Sequence, residues 1–179
     1  VANIERRSTG VAIIDYLLIH LPNMGIDPFK RMFNTVVNDK QENPNQFEDA
    51  MRMVQRKDFY VYEKYKKTFG FATAASGIFS RSGLYSTTLI QSAKLTCKKI
   101  YDKRLADQIT SLIVKNGRVD HPAGGHDDMV IAWLLSNWLL SQARNISHYG
   151  IEARKVGSLA GGQEASADPA TVAFQQVQR

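Results

Sequence analysis

Gly124-Gly125-His126-Asp127-Asp128 runs directly into Met129-Val130-Ile131-Ala132-Trp133-Leu134-Leu135, and no other stretch constrains the fold so tightly. The apolar run continues through Trp138, Leu139 and Leu140. It is apolar on almost every side, so the spacing predicts a buried helix of about four turns. The glycines break whatever precedes it, and Asp127 or Asp128 can cap its first turn. The partial positive charge of that turn favours ionised carboxylates. An ionised Asp fixed at the end of a rigid buried helix is a good hard-oxygen ligand for Mg2+ or Mn2+. Taken alone, these residues are read equally well as a helix cap or as a metal site.

The chain has 179 residues and 44% hydrophobic content, which predicts one domain with a real core. The apolar run near residue 11 stops at His20 and Pro22, short of membrane-spanning length. No membrane partner and no secretion are expected, since no signal peptide is visible. Cys97 is the single cysteine, which rules out an internal disulfide and fits a reducing compartment. It is expected to be a buried small hydrophobe. Lys and Arg outnumber Asp and Glu by 23 to 17, a net +6 that favours a polyanionic partner.

Val1 to Glu5 reads as a buried strand ending in an acid. Arg6 to Gly10 form a turn, and Val11, Ile14, Leu17, Leu18 and Leu21 have helical spacing up to Pro22. A strand, an acid at its carboxyl end, a turn and a helix make half of an α/β unit, and that edge of a sheet is where sites form. Glu5 alone is also read as a solvated strand end paired with Arg6 or Arg7. The opening at Val1, within a core-like strand, suggests a piece of a longer chain.

Residues 27 to 67 look like an insertion, with helices over Pro28–Val37 and Gln46–Val54. Arg56, Lys57, Lys64, Lys66 and Lys67 follow, interleaved with Phe59, Tyr60, Tyr62 and Tyr65. Such a pattern suits contacts to DNA phosphates and sugars, or a solvated surface with its aromatics turned inward. A strand is expected over Phe69–Ala74 and a helix over Leu84–Thr96. A short strand over Lys98–Tyr101 and a helix over Lys103–Val114 come next. Lys94, Lys98, Lys99, Lys103 and Arg104 form a second basic cluster, read as a solvated face or as a DNA track. Asn116-Gly117 is a turn signal. His121 and His126 lack the cysteines or further histidines that a structural zinc needs. Residues 1–150 are expected to form the domain, and 151–179 an Ala/Gly/Gln-rich flexible tail. No phosphate loop of Walker type is present, so no ATPase centre is expected here.

His121-Pro122-Ala123-Gly124-Gly125-His126-Asp127-Asp128-Met129-Val130-Ile131-Ala132 resembles the third acidic motif of a known family. That family is the nuclease domain of large terminase subunits, the DNA-packaging proteins of tailed bacteriophages. Ile4-Glu5-Arg6-Arg7-Ser8-Thr9-Gly10 resembles its second acidic motif, in the family's order. Gly70-Phe71-Ala72-Thr73, followed by Ser80-Arg81-Ser82, is loosely similar to a Gly-aromatic-x-Thr segment lying between them.

The resemblance implies an α/β, RNase H-like nuclease fold. It is expected to be incomplete, because the early strands that carry the family's first metal-binding Asp have no counterpart here. It implies a hydrolase, a metal-dependent endonuclease that cuts concatemeric double-stranded DNA during packaging. Asp128 maps onto the last metal-binding Asp, Asp127 has a supporting or alternative role, and Glu5 is a further ligand. Two Mg2+ or Mn2+ ions are implied in the complete site; His126 is read as hydrogen-bonding near the acids or as closing the turn. Arg56, Lys57, Lys64, Lys66, Lys67, Lys98 and Lys99 are the DNA-contact candidates. The implied partners are the terminase ATPase domain, the small terminase and the portal, in the host cytoplasm and transiently on the procapsid. Without the first Asp the fragment is expected to be weakly active or inactive. A sheet edge near Val1–Glu5 is expected to be unpaired and open to self-association. The alternatives are a non-catalytic DNA-binding or motor-docking module, and another RNase H-like enzyme such as a resolvase or transposase.

Overall fold

The computed structural model describes residues 1–74, 77, 79–96 and 99–152. The expected tail lies outside them, as do Cys97 and Lys98.

Three extended segments form the middle of the molecule. Ala2 pairs in parallel with Met32, Glu5 in parallel with Phe71, and Asn34 antiparallel with Phe69. Ala2, Ile4 and Arg6 all make their backbone bonds on one edge: Ala2 N–H to Arg31 O at 2.8 Å, Phe71 N–H to Ile4 O at 2.7 Å, and Arg6 N–H to Phe71 O at 2.8 Å. Among the described residues, the N–H and C=O of Asn3 on the opposite edge have no backbone partner.

These segments separate two apolar clusters. Met32 and Phe69 join Ile14 and Leu18 of α1 (Thr9–Asn23) on one side. Phe33 and Phe71 join Val130, Leu134 and Trp138 of α9 (Asp128–Ser141) on the other. The alternation is the period of two of extended chain, since Ile4 packs on the α1 side while Asn3 Nδ2 donates to Leu135 O at 2.9 Å. Gly70, at φ +81°, breaks the alternation so that Phe69 and Phe71 serve opposite clusters. The architecture is thus mixed α/β and mostly helical, with paired chain between helical layers.

Between these elements lie α2 (Pro28–Arg31), α3 (Thr35–Asn38), α4 (Pro44–Gln55) and α5 (Tyr60–Lys64). The single helix expected over Pro28–Val37 is split. Met32 is extended (φ −125°, ψ 136°), because the bridge to Ala2 and the Asn34 bridge to Phe69 outweigh local helix preference. Asn34, fully buried, accepts from Val37 N–H at 2.9 Å and so starts α3 afresh.

The helix expected from Leu84 begins earlier, as α6 (Arg81–Leu84), capped by Ser80 Oγ accepting from Gly83 N–H at 2.9 Å. A π-helical turn, Tyr85–Leu89, leads into α7 (Ile90–Thr96). The helix expected over Lys103–Val114 ends at Thr110 as α8 (Lys103–Thr110). Ile113–Lys115 is instead β1, paired antiparallel with β2 (Arg118–Asp120). The turn explains the correction: Asn116 and Gly117 both have positive φ, 52° and 72°, the pair that a tight two-residue hairpin demands. Lys99 to Tyr101 are in no strand.

Candidate active site

Asp127 is 3% exposed, the most buried acid among the described residues, yet it does not cap α9. The orphan first-turn N–H of Met129 is satisfied from another helix, donating to Gln108 Oε1 at 3.1 Å. The Asp127 carboxylate is therefore free to face the other way. Its Oδ1 forms an ion pair with Arg81, and its Oδ2 accepts from the Tyr85 hydroxyl at 2.6 Å. Burial pushes the Asp127 pKa up, but the Arg81 and Tyr85 hydrogen bonds and the nearby His121 outweigh it, so the group sits below the ordinary carboxylate range. Burial, reinforced by Asp127, pushes the Tyr85 hydroxyl the other way, so it stays a donor.

Tyr85 is itself buried and opens the π-helical turn. Such turns shift the register of a helix by one residue and are frequent at functional sites.

Glu5 reaches the same place from the opposite end of the sequence. Its Oε1 accepts from Thr73 Oγ1 at 2.5 Å. Its charge also acts on Arg81: burial opposes the guanidinium charge, and the Asp127 bond together with the fields of Asp127 and Glu5 hold the group above its ordinary value. Glu5 is held in position from behind. Gly10, on the first turn of α1, lies so close that a Cβ there would clash with the Glu5 carbonyl oxygen. Arg81 is thus paired with Asp127 and also feels the charge of Glu5, an acid from a distant part of the chain.

Asp128, the residue next to this cluster, is exposed on the first turn of α9. His126 is exposed as well, and it is His121, not His126, whose charge reaches Asp127. Among the described residues, no three His, Cys, Asp or Glu side chains gather closely enough to hold an ion between them. Glu5, Asp127 and Asp128 supply the hard oxygen donors that Mg2+ or Mn2+ prefers. Both Asp127 oxygens are already engaged, so a metal there would have to displace Arg81 or Tyr85.

The expected DNA contacts divide. Lys64 pairs with Asp49 at 2.6 Å and Lys66 with Asp15 at 3.1 Å, so both charges are partly spent inside the chain. Arg56, Lys57 and Lys67 are exposed, and Lys99 is exposed too. Tyr62 and Tyr65 turn inward, whereas Phe59 and Tyr60 face solvent.

Sequence reasoning missed Arg81, Tyr85 and the part played by Thr73. Thr73 and Arg81 both belong to the loosely matching segment between the acidic motifs, which was the available signal. Nothing in the sequence flags Tyr85, which reads as one more apolar helix position. Comparisons of the chain with protein-family models, with curated proteins and with solved structures found no match.

Proposed function

We propose that this chain is the C-terminal part of an RNase H-like nuclease domain of the large terminase type, a metal-dependent endonuclease acting on double-stranded DNA. The observation that carries the reading is that Glu5, bonded to Thr73, and Asp127, paired with Arg81, are each held by a residue lining one and the same cleft. Carboxylates brought together repel one another unless a cation lies between them. Arg81 brings to Asp127, and at longer range to Glu5, the kind of positive charge that a divalent ion would supply in a loaded site.

In this reading Glu5, Asp127 and Asp128 hold Mg2+ or Mn2+. When bound, such ions would supply the positive charge that activates water and stabilises the leaving oxygen of a phosphodiester. The chain's own residues orient the donors: Thr73 fixes the Glu5 carboxylate, and Tyr85 fixes that of Asp127. The remaining acid of a two-ion set has no counterpart among these residues, so little activity is expected of the chain alone. Its partners in this reading are duplex DNA, an ATPase domain, a small terminase and a portal, in the host cytoplasm.

One observation favours a second reading, a non-catalytic DNA-binding or motor-docking module. Asp127 has a partner on each oxygen, as a purely structural ion pair would. A Mn2+ titration followed by thermal unfolding separates the two. The nuclease reading expects a saturable rise in Tm that shrinks in Glu5→Gln and in Asp127→Ala or Asp128→Ala. A Tm indifferent to Mn2+ in the unaltered chain sinks it and leaves the docking module.

A further inference from the structure

Beside the acids lies an open cleft of about 430 Å³ between the turn after Glu5, the start of α6 and the β1–β2 hairpin. Arg7, Thr73, Ser80, Arg81, Arg118 and Asp120 line it. Three arginines thus line one concave surface.

Their charges are not equally committed. Arg81 is paired with Asp127. Asp120 accepts from the His121 backbone N–H at 2.9 Å and lies 3.8 Å from the His121 ring nitrogen. Arg7 and Arg118 are exposed and are in no ion pair among the described residues. The cleft therefore presents two uncommitted, fork-shaped donors.

We propose that this cleft binds the phosphodiester backbone of a DNA strand, with Arg7 and Arg118 as its anchors and Arg81 as the link to the acids. Guanidinium forks match the paired oxygens of a phosphate. The placement has a consequence for the reaction. Thr73 lines the cleft and also holds Glu5, and Arg81 lines the cleft and also holds Asp127. A strand seated there is brought against both acids by side chains that already touch them. Arg7 and Arg118 are positioning residues in this scheme and act on binding. The backbone is favoured over a small free anion because the cleft is open and its two anchors come from separate elements. The inference deepens the nuclease reading and rests on it for the choice of DNA.

The test uses the whole chain, a fluorescein-labelled DNA duplex and no divalent metal. The double variant Arg7→Ala/Arg118→Ala should bind about ten-fold more weakly near 0.1 M salt. The slope of log affinity against log salt should fall by about two, close to one for each lost phosphate contact. Arg31→Ala/Arg144→Ala removes the same net charge elsewhere and should change much less. Arg7→Lys/Arg118→Lys, which keeps the charge without the fork, should recover part of the loss. Equal affinity and slope in the alanine pair and the unaltered chain overturn the proposal. So does inorganic phosphate that displaces the duplex beyond a chloride control of matched ionic strength, since that marks a free-anion site. The two readings fail separately. A duplex held through Arg7 and Arg118 but indifferent to Mn2+ removes the nuclease and keeps the cleft. Mn2+-dependent cutting with binding untouched by the double variant removes the cleft and keeps the nuclease.

Discussion

The Tyr85 hydroxyl donates a 2.6 Å hydrogen bond to the buried carboxylate of Asp127, so the residue that begins the π-helical turn is also the one that aims the acid. A hydrogen bond to a charged group contributes about 1.5–3 kcal/mol, and more of that is felt when its loss leaves a buried charge short of a donor. Tyr85→Phe keeps the ring in the α9 cluster and removes only the donor. It should lower stability by about 2 kcal/mol in urea unfolding at pH 7. It should also let the Asp127 carboxylate rotate, weakening any Mn2+-dependent rise in Tm. An unchanged midpoint would mean that the bond contributes nothing in solution.

Asp127 also predicts how stability depends on pH. Its folded pKa lies below the ordinary value, because Arg81 and Tyr85 outweigh the effect of burial. The unfolded chain then binds the proton more readily, so stability rises with pH across this range. The contribution is complete above the ordinary carboxylate pKa of about 4 and is lost as pH falls through the folded value. Asp49 and Asp102 are shifted the same way, but both are well exposed and contribute less. Asp127→Asn should therefore flatten the acid limb of a stability–pH curve measured between about pH 3 and 6. An acid limb identical to that of the unaltered chain would assign the effect to other carboxylates.

The hairpin offers a local test. Gly117 has φ +72° and Asn116 +52°, and a branched side chain is strongly disfavoured at such angles. β1 is exposed at all three positions, so the hairpin shares little of the core. Gly117→Val should cost about 1–3 kcal/mol locally. It should accelerate hydrogen exchange in the strands around the Val114–Val119 pair while moving the global Tm by only a degree or two. A large global loss would show that the hairpin supports the core after all.

What could be read from the sequence was whatever is encoded by short-range patterns. The apolar run after Asp128, the helix after Gly10 and the Asn116-Gly117 turn all came through, because helical period and turn chemistry are local. The break at Met32 did not, because it depends on bridges to Ala2 and Phe69 that no local window contains. The ranking of the two acids was equally invisible. Asp127 and Asp128 are neighbours with the same chemistry, and only the arrival of Arg81 and Tyr85 from another helical stretch makes the first buried and the second exposed. Capping was the natural expectation for either one. Gln108, 21 residues before Met129 and in a different helix, met that need and left Asp127 for the site.

Gly10 is where fold and site are joined most closely. A methyl group added there would clash with the Glu5 carbonyl oxygen and meet its carbon at 3.1 Å, both backbone atoms that cannot swing aside. Either the first turn of α1 or the strand end carrying Glu5 must move. Gly10→Ala should cost about 1–3 kcal/mol, as overpacking does, although alanine is the better helix former. Because the strand end carries the Glu5 carboxylate, the shift should also disturb its bond to Thr73 and reduce the Mn2+-dependent gain in Tm. Gly25→Ala is the matching control. Gly25 has φ +71° but no atom within 4 Å of the added carbon, so its cost is backbone strain of about 1 kcal/mol with no reach into the site. Thermal unfolding of both variants, with and without Mn2+, compares the two directly. If Gly10→Ala proves no worse than Gly25→Ala and keeps the full metal response, the close approach of α1 does not position Glu5.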